Sequence, residues 1–281
     1  MMTLTQEIVG YTGRSFRHDL DERWSMAYAA SLNDMSARYF DNADEKQVAT
    51  HPVFPVCVEW PALVECLRDN NIDMRNTVHA THDLHLEAAL RPGMALHTSA
   101  TVIGVEQRKP GIYLGWRIDT TDADGGLVSR TYQGNLFLRA TLEGPAHWIE
   151  DMPRVNETTG PLTALDVPIE VAANLGHIYT ECARIWNPIH SDLATARAAG
   201  LREPLLHGTA SLALATSAIV NELLDGEPAC VKRISGRFSS MVFMPSSLHL
   251  KTCRERSRIC FSLCNEAGSE VISAGRIEVR E

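Results

Sequence analysis

The sequence predicts an α+β protein built from two repeats, each a long helix wrapped by an antiparallel sheet. Each half runs through helical segments and then four strand-like stretches in the same order. Residues 209–224 are apolar nearly all round, and a helix without a polar face belongs inside a protein. LRPGMALHTSA, from Leu90, aligns with FMPSSLHLKTC, from Phe243, so that Pro92 and Pro245 precede equivalent strands. One such unit cannot cover its own sheet edge. Two placed edge to edge form a continuous sheet and hide an edge on each.

Residues 1–20 read as an irregular lead-in. A helix is expected over 22–33, where Trp24, Tyr28 and Leu32 form a stripe at i, i+4 and i+8. Asn33-Asp34 ends it. The polar run DNADEKQ precedes His51-Pro52-Val53-Phe54-Pro55, and Pro61 is placed in the first turn of a helix through ALVECLRDNN. Strands follow at 82–88, 96–106, 112–119 and 127–140. Ile112, Leu114, Trp116 and Ile118 alternate as one buried sheet face requires. Asp122-Ala-Asp-Gly-Gly is a hairpin turn by composition.

Pro145, Pro153, Gly160 and Pro161 punctuate 141–166, where no periodicity survives. A linker is therefore expected over 146–165, between an N-terminal unit at 1–145 and a C-terminal unit at 166–281. In the second half a helix over 172–184 is followed by a break at Pro188, because proline disfavours helical geometry in the residue before it. A short Ala-rich helix and the apolar helix come next, with Asp225-Gly226 as its stop. Strands are expected at 230–242, 248–254, 258–265 and 271–280. Tyr28-Ala-Ala-x-x-Asn33-Asp34 corresponds to the helix and turn from Tyr179.

The chain of 281 residues has 44% hydrophobic content, which suffices for a full core and excludes general disorder. A formal charge of −9 argues against a general nucleic-acid binder. No apolar run has signal-peptide or membrane-spanning length, so a soluble, cytoplasmic protein is expected, with no membrane partner. Seven scattered cysteines without a C-x-x-C pair read as free thiols in a reducing compartment. Eleven histidines show no H-x-x-x-H or H-E-x-x-H spacing, so no metal site is expected.

The chemistry concentrates between Tyr179 and Gly208, in YTECARIWNPIHSDLATARAAGLREPLLHG. His190 falls on the turn after Pro188, its ring free to face a cleft. Asp192 precedes a helical run and reads as an N-cap. A helix starting at Gly208 points bare N–H groups at the same region. An imidazole beside such a terminus suits an acyl carbonyl that becomes an oxyanion.

Asn187, Pro188, His190, Asp192, Pro204, His207 and Gly208 together resemble the motif of the MaoC-like dehydratases and (R)-specific enoyl-CoA hydratases. The resemblance implies a double hotdog fold and a hydro-lyase acting at carbons two and three of an acyl thioester. It covers the second half and, more faintly, the first. The family's catalytic Asp, two residues before the Asn, falls on Ile185, with Arg184 beside it. The resemblance implies His190 as the acid–base group, Asn187 as an orienting group and the Gly208 N–H as the oxyanion donor.

Several residues compete for the missing carboxylate. Asp34 stands at the motif's Asp position in the first half, where Tyr39 replaces the His. Glu59 and Glu65 resemble in placement the acid of bacterial hydroxyacyl-ACP dehydratases. Glu181 is the nearest in sequence, with a solvated helix face as its plain reading. Asp192 is a cap or an acid, His207 a site residue or a turn closer, and Tyr179 a site residue or core. Arg184 either holds a substrate carboxylate, as in mesaconyl-CoA, or caps its own helix. Lys232, Arg233 and Arg237 are candidates for the coenzyme phosphates, or simply a solvated strand face.

No cofactor is expected beyond the coenzyme A or acyl carrier protein that carries the substrate, and double hotdogs could pair as a homodimer. Loss of the motif Asp recommends a second reading, a non-catalytic acyl-thioester binding protein or the silent half of a hetero-oligomer. A thioesterase is the third, since one fold hosts both chemistries.

Overall fold

The computed structural model describes residues 2–74, 77–154, 161–162 and 164–280. After β1 (Thr3–Thr5) and β2 (Phe16–Asp19), the first half forms α1 (Glu22–Ser31), α2 (Ala37–Phe40) and the central helix α3 (Pro55–Asp69). Its sheet is β3 (Thr77–Leu86), β4 (Ala95–Arg108), β5 (Gly111–Thr121) and β6 (Leu127–Leu138), followed by β7 (Thr141–Glu143) and β8 (His147–Trp148). The second half runs β9 (Leu165–Val171), α4 (Leu175–Ala183), α5 (Leu193–Ala198) and the central helix α6 (Gly208–Leu223). It closes with β10 (Val231–Phe238), β11 (Ser246–Glu255), β12 (Arg258–Asn265) and β13 (Glu270–Val279).

Among the described residues, eleven strands form one sheet, in the order β2-β4-β5-β6-β3-β10-β13-β12-β11-β9, with β8 beside β4. The order reads alike from either end, so the two halves repeat one topology and meet where β3 pairs antiparallel with β10. Arg233 clamps that seam, donating from Nε and Nη2 to the two oxygens of Asp83 at 2.8 and 2.7 Å. Each half-sheet wraps its own helix. Leu63, Cys66 and Leu67 of α3 pack on Ala100, Val102, Leu114 and Trp116, while α6 is buried against Leu248, Phe261, Leu263 and Ile277. This is the predicted α+β double-helix, one-sheet architecture.

The eight main strands lie where the sequence reading placed them, within a few residues. Three expectations need correction. The lead-in contributes β2, an edge strand pairing β4, and β1, which pairs parallel with β7. With Arg17, His18 and Asp19 in it, β2 carries the polar side chains of a protected edge, which hides it from a hydrophobic pattern. Helix α3 starts at Pro55, six residues before the expected turn, and holds Pro61 inside. The buried Val56, Cys57 and Val58 supply packing that offsets the hydrogen bond lost at Pro61. Part of the expected linker is built into the sheet: β8 pairs β4, and Trp148 lies over Gly104 and Gly115, where a Cβ would strike its ring. Residues 155–160 and 163 of that stretch lie outside the described residues.

Candidate active site

The turn from Asn187 to His190 is 3-10 in form, with Pro188 at its first position. Its backbone is pinned: the His190 N–H donates to Asn187 O and the Asp192 N–H to Pro188 O. The His190 side chain is buried at 8% exposure. Its Nδ1–H donates to the Leu205 carbonyl at 2.7 Å, which fixes the tautomer and leaves Nε2 with a free lone pair. Burial lowers the ring to about 4, against a smaller upward pull from that carbonyl, so the ring is neutral at pH 7. The ring stacks on His207, centroids 3.7 Å apart.

His207 is the N-cap of α6 and sits well below the ordinary imidazole range, first through burial and then through His190. Its Nε2 lies 3.4 Å from both Ile185 O and Thr180 Oγ1, and its Nδ1 has no partner among the described residues. Gly208 follows at the first helical position, where the backbone N–H has no intrahelical acceptor. A Cβ there would stand 3.2 Å from the Phe238 ring, so the glycine lets that ring come close.

One cavity of about 350 Å³ takes in His190, His207, Gly208, Asn187 and Ile185. Its other wall belongs to the first half: Val56, Glu59, Leu63 and Leu67 of α3, and Gln133 and Asn135 of β6. Glu59 is the sole carboxylate lining it among the described residues. Only 3% exposed, Glu59 accepts a 2.5 Å hydrogen bond from Thr131 Oγ1. Burial raises it to about 8, against a smaller lowering by Thr131, so it is protonated at neutral pH. A neutral acid and a neutral base, with pKa values pushed in opposite directions, thus share one cavity with an unpaired helix N–H. Two groups separated in this way are suited to divide acid and base duties.

The other candidates fall elsewhere. Asp34 accepts from Asn221 Nδ2 at 3.2 Å, near the far end of α6. Asn221 is thirteen residues beyond Gly208, about 20 Å along the axis at ~1.5 Å per residue, so Asp34 does not join His190. Glu65 pairs with Arg14 and Arg68. Asp192 is exposed and caps α5, accepting from the Thr195 N–H at 2.7 Å. Arg184 caps α4 in a left-handed conformation, φ 57°, and lays its guanidinium 3.8 Å from the Trp24 ring centroid, outside the cavity. Tyr179 is core: its hydroxyl meets Tyr28 Oη at 3.1 Å and Thr209 Oγ1 at 3.2 Å. Asn187 lines the cavity but does not hold the His190 ring, which the Leu205 carbonyl holds instead. Arg233 is taken up by Asp83 and Glu278. Among the described residues no His, Cys, Asp and Glu cluster could hold a metal ion.

Sequence reasoning passed over Gln133, Asn135 and His79, all on the cavity wall. For Gln133 and Asn135 the signal was a polar alternation, Thr131, Gln133, Asn135, on the face of β6 opposite to Tyr132 and Leu136.

Comparison with known proteins agrees with this organisation. Residues 161–274 match the family model described as a MaoC like domain, and 9–130 the FAS1-like, dehydratase domain region. The peroxisomal multifunctional enzyme type 2 of Drosophila melanogaster is 24% identical over 263 residues, 90% of this chain and 43% of that protein. The peroxisomal enoyl-CoA hydratase 2 of Arabidopsis thaliana is 35% identical over 95 residues, 34% of this chain and 31% of that protein. The chain thus spans less than half the length of either. The MaoC-like dehydratase from Phytophthora capsici superposes with a TM-score of 0.85 at 18% identity, covering 97% of this chain and 96% of that one. Rv0216 of Mycobacterium tuberculosis, described as a double hotdog fold, superposes with a TM-score of 0.63 at 14% identity, covering 96% of each chain.

Proposed function

We propose that this chain, which belongs to the MaoC-like dehydratases, is a hydro-lyase that adds or removes water at carbons two and three of an acyl thioester. The observation that carries this reading is the shared cavity, with neutral His190 and Gly208 from one half and protonated Glu59 from the other. The name of the Arabidopsis relative, an enoyl-CoA hydratase 2, points the same way. In hydration, water attacks carbon three and gives its proton to His190 Nε2, while Glu59 supplies a proton to carbon two. The Gly208 N–H takes the thioester oxygen as it gains enolate charge. Protons return from His190 to Glu59 through solvent, and dehydration runs the same steps backwards. Glu59 stands in for the family Asp replaced by Ile185. Asn187 is left to contact substrate.

Hydration of crotonyl-CoA and longer 2-enoyl-CoAs, followed by loss of the enoyl thioester absorbance, tests this reading. Turnover that falls with His190→Ala supports it; undiminished turnover in that variant defeats the assigned role. Ile185 in the family's Asp position favours a second reading, an acyl-thioester binder without turnover. A thermal shift with acyl-CoA and no hydration would select it, and release of free thiol would instead mark a thioesterase.

The division into a unit at 1–145 and a unit at 166–281 belongs to the same proposal, with part of the 146–165 linker built into the sheet as β8 and both units lining the site. So do the CoA or acyl carrier protein portion of the substrate, the lack of any further cofactor and a homodimer of such chains. No described helix is long and apolar enough to cross a membrane. A cytoplasmic setting is part of the proposal, and the seven free cysteines suit its reducing conditions.

A further inference from the structure

We propose that the acyl group taken by this site carries a hydroxyl or keto oxygen beyond carbon three, recognised by Gln133 and Asn135. The inference rests on the acyl-thioester reading above and concerns the part of the cavity lying away from His190. That part runs between α3 and the inner face of the first half-sheet. Apart from Glu59, its helix wall is apolar: Val56, Trp60, Leu63 and Leu67. Its sheet wall is not.

Thr131, Gln133 and Asn135 alternate along β6, so all three point inward. Thr131 is taken by Glu59. Gln133 and Asn135, each only 7% exposed, bond to one another at 2.8 Å through one amide N–H and one carbonyl. Whichever way the two amides are turned, the pair keeps a spare acceptor and a spare donor at the cavity wall. Beside them on β3, Thr77 Oγ1 and His79 Nε2 are buried without a hydrogen-bond partner among the described residues. The row begins close to the chemistry, because His79 packs edge-on against Phe238, whose ring abuts Gly208. A plain alkyl chain passing this wall would leave buried donors and acceptors facing hydrocarbon. An oxygen-bearing chain satisfies them while its carbons lie on α3. Sites built to bond a polar group reject the analogue lacking it more strongly than apolar pockets reject an extra methylene.

The test compares kcat/KM for trans-2-octenoyl-CoA with its hydroxy and oxo counterparts, the oxygen moved carbon by carbon beyond carbon three. The best oxygenated isomer should exceed the alkyl substrate by about tenfold or more. That advantage should collapse in Gln133→Leu and in Asn135→Leu. Should either leucine variant fold poorly, Gln133→Met and Asn135→Ser read the same ratio. Equal or better use of the alkyl chain by the unsubstituted protein, or a preference that survives in the variants, overturns the inference. Crotonyl-CoA turnover separately reports on the hydratase reading. If it is absent, calorimetric binding of octanoyl-CoA and hydroxyoctanoyl-CoA decides the present point: tighter oxygenated ligand supports it, equal affinity overturns it.

Discussion

The two central helices begin in opposite ways although they occupy equivalent places in the sheet. Helix α6 starts at His207-Gly208 and α3 at Phe54-Pro55. A glycine in the first turn offers a bare N–H; a proline there has none to offer. The turns that precede them differ in the same sense. The second half has His190 and lacks the carboxylate; the first keeps Asp34 but has Tyr39 in place of the histidine. Neither half alone carries a donor, a base and an acid. The cavity draws His190 and Gly208 from one half and Glu59 from the other, as the proposed composite site requires.

The sharpest way to break this comparison is to remove the base. His190→Ala should lower kcat by about 10²–10⁴-fold, the usual span for a positioned proton-transfer group. Next is exchange of the helix starts. His207 has φ −59° and ψ 137°, a conformation that tolerates a following proline. Gly208→Pro therefore removes the N–H without breaking the helix, although its ring must be accommodated beside Phe238. Turnover should fall by about 10²–10³-fold, the range for loss of one oxyanion donor. Pro55→Gly should leave turnover within about twofold, since Pro55 does not line the cavity that holds His190. Equal sensitivity of the two starts would contradict the composite site.

Glu59→Gln sharpens the comparison through pH. Hydration needs neutral His190, hence a pH above about 4, and protonated Glu59, hence a pH below about 8. The profile of kcat/KM should be bell-shaped between those limits, and the residual activity of Glu59→Gln should lack the alkaline limb. Stability gives a second reading of the same group. The folded-state value of about 8 exceeds the ordinary 4.5, so the folded protein holds a proton that the unfolded chain releases across that window. The contribution is complete below about 4.5 and lost as pH rises through about 8. Relative to the parent, Glu59→Gln should gain in Tm as pH climbs from about 5 to about 8. A constant difference would mean that Glu59 is not buried as a neutral acid.

Much of this was legible beforehand because periodicity reports burial directly. The alternation of Ile112, Leu114, Trp116 and Ile118 marks β5, and the apolar circumference of 209–224 marks α6. The turn at His190 was legible for a local reason, since Pro188 must interrupt a helix. What escaped depends on tertiary partners. β2 is polar because it is an edge, and Pro61 sits inside a helix because buried neighbours hold it there. The choice among carboxylates could not be made from spacing. Asp34 is nearer the motif by homology between the halves, but only packing shows it beside Asn221 while Glu59 faces the cavity of His190.

Arg184→Ala carries the smallest expected effect and separates two roles that one position could serve. A guanidinium three residues before Asn187 would suit a substrate carboxylate, yet the side chain is exposed and lies over Trp24, whose Nε1–H donates to Cys182 O. That stacking is worth about 0.5–1 kcal/mol at an exposed site, so Tm should drop by about 1–4 °C. Thioesters of monocarboxylic and dicarboxylic acids should keep the same ratio of kcat/KM in the variant as in the parent. A selective loss for mesaconyl-CoA would show that the arginine leaves Trp24 to meet the substrate, and that α4 contributes a charge to the site as well as its closing turn.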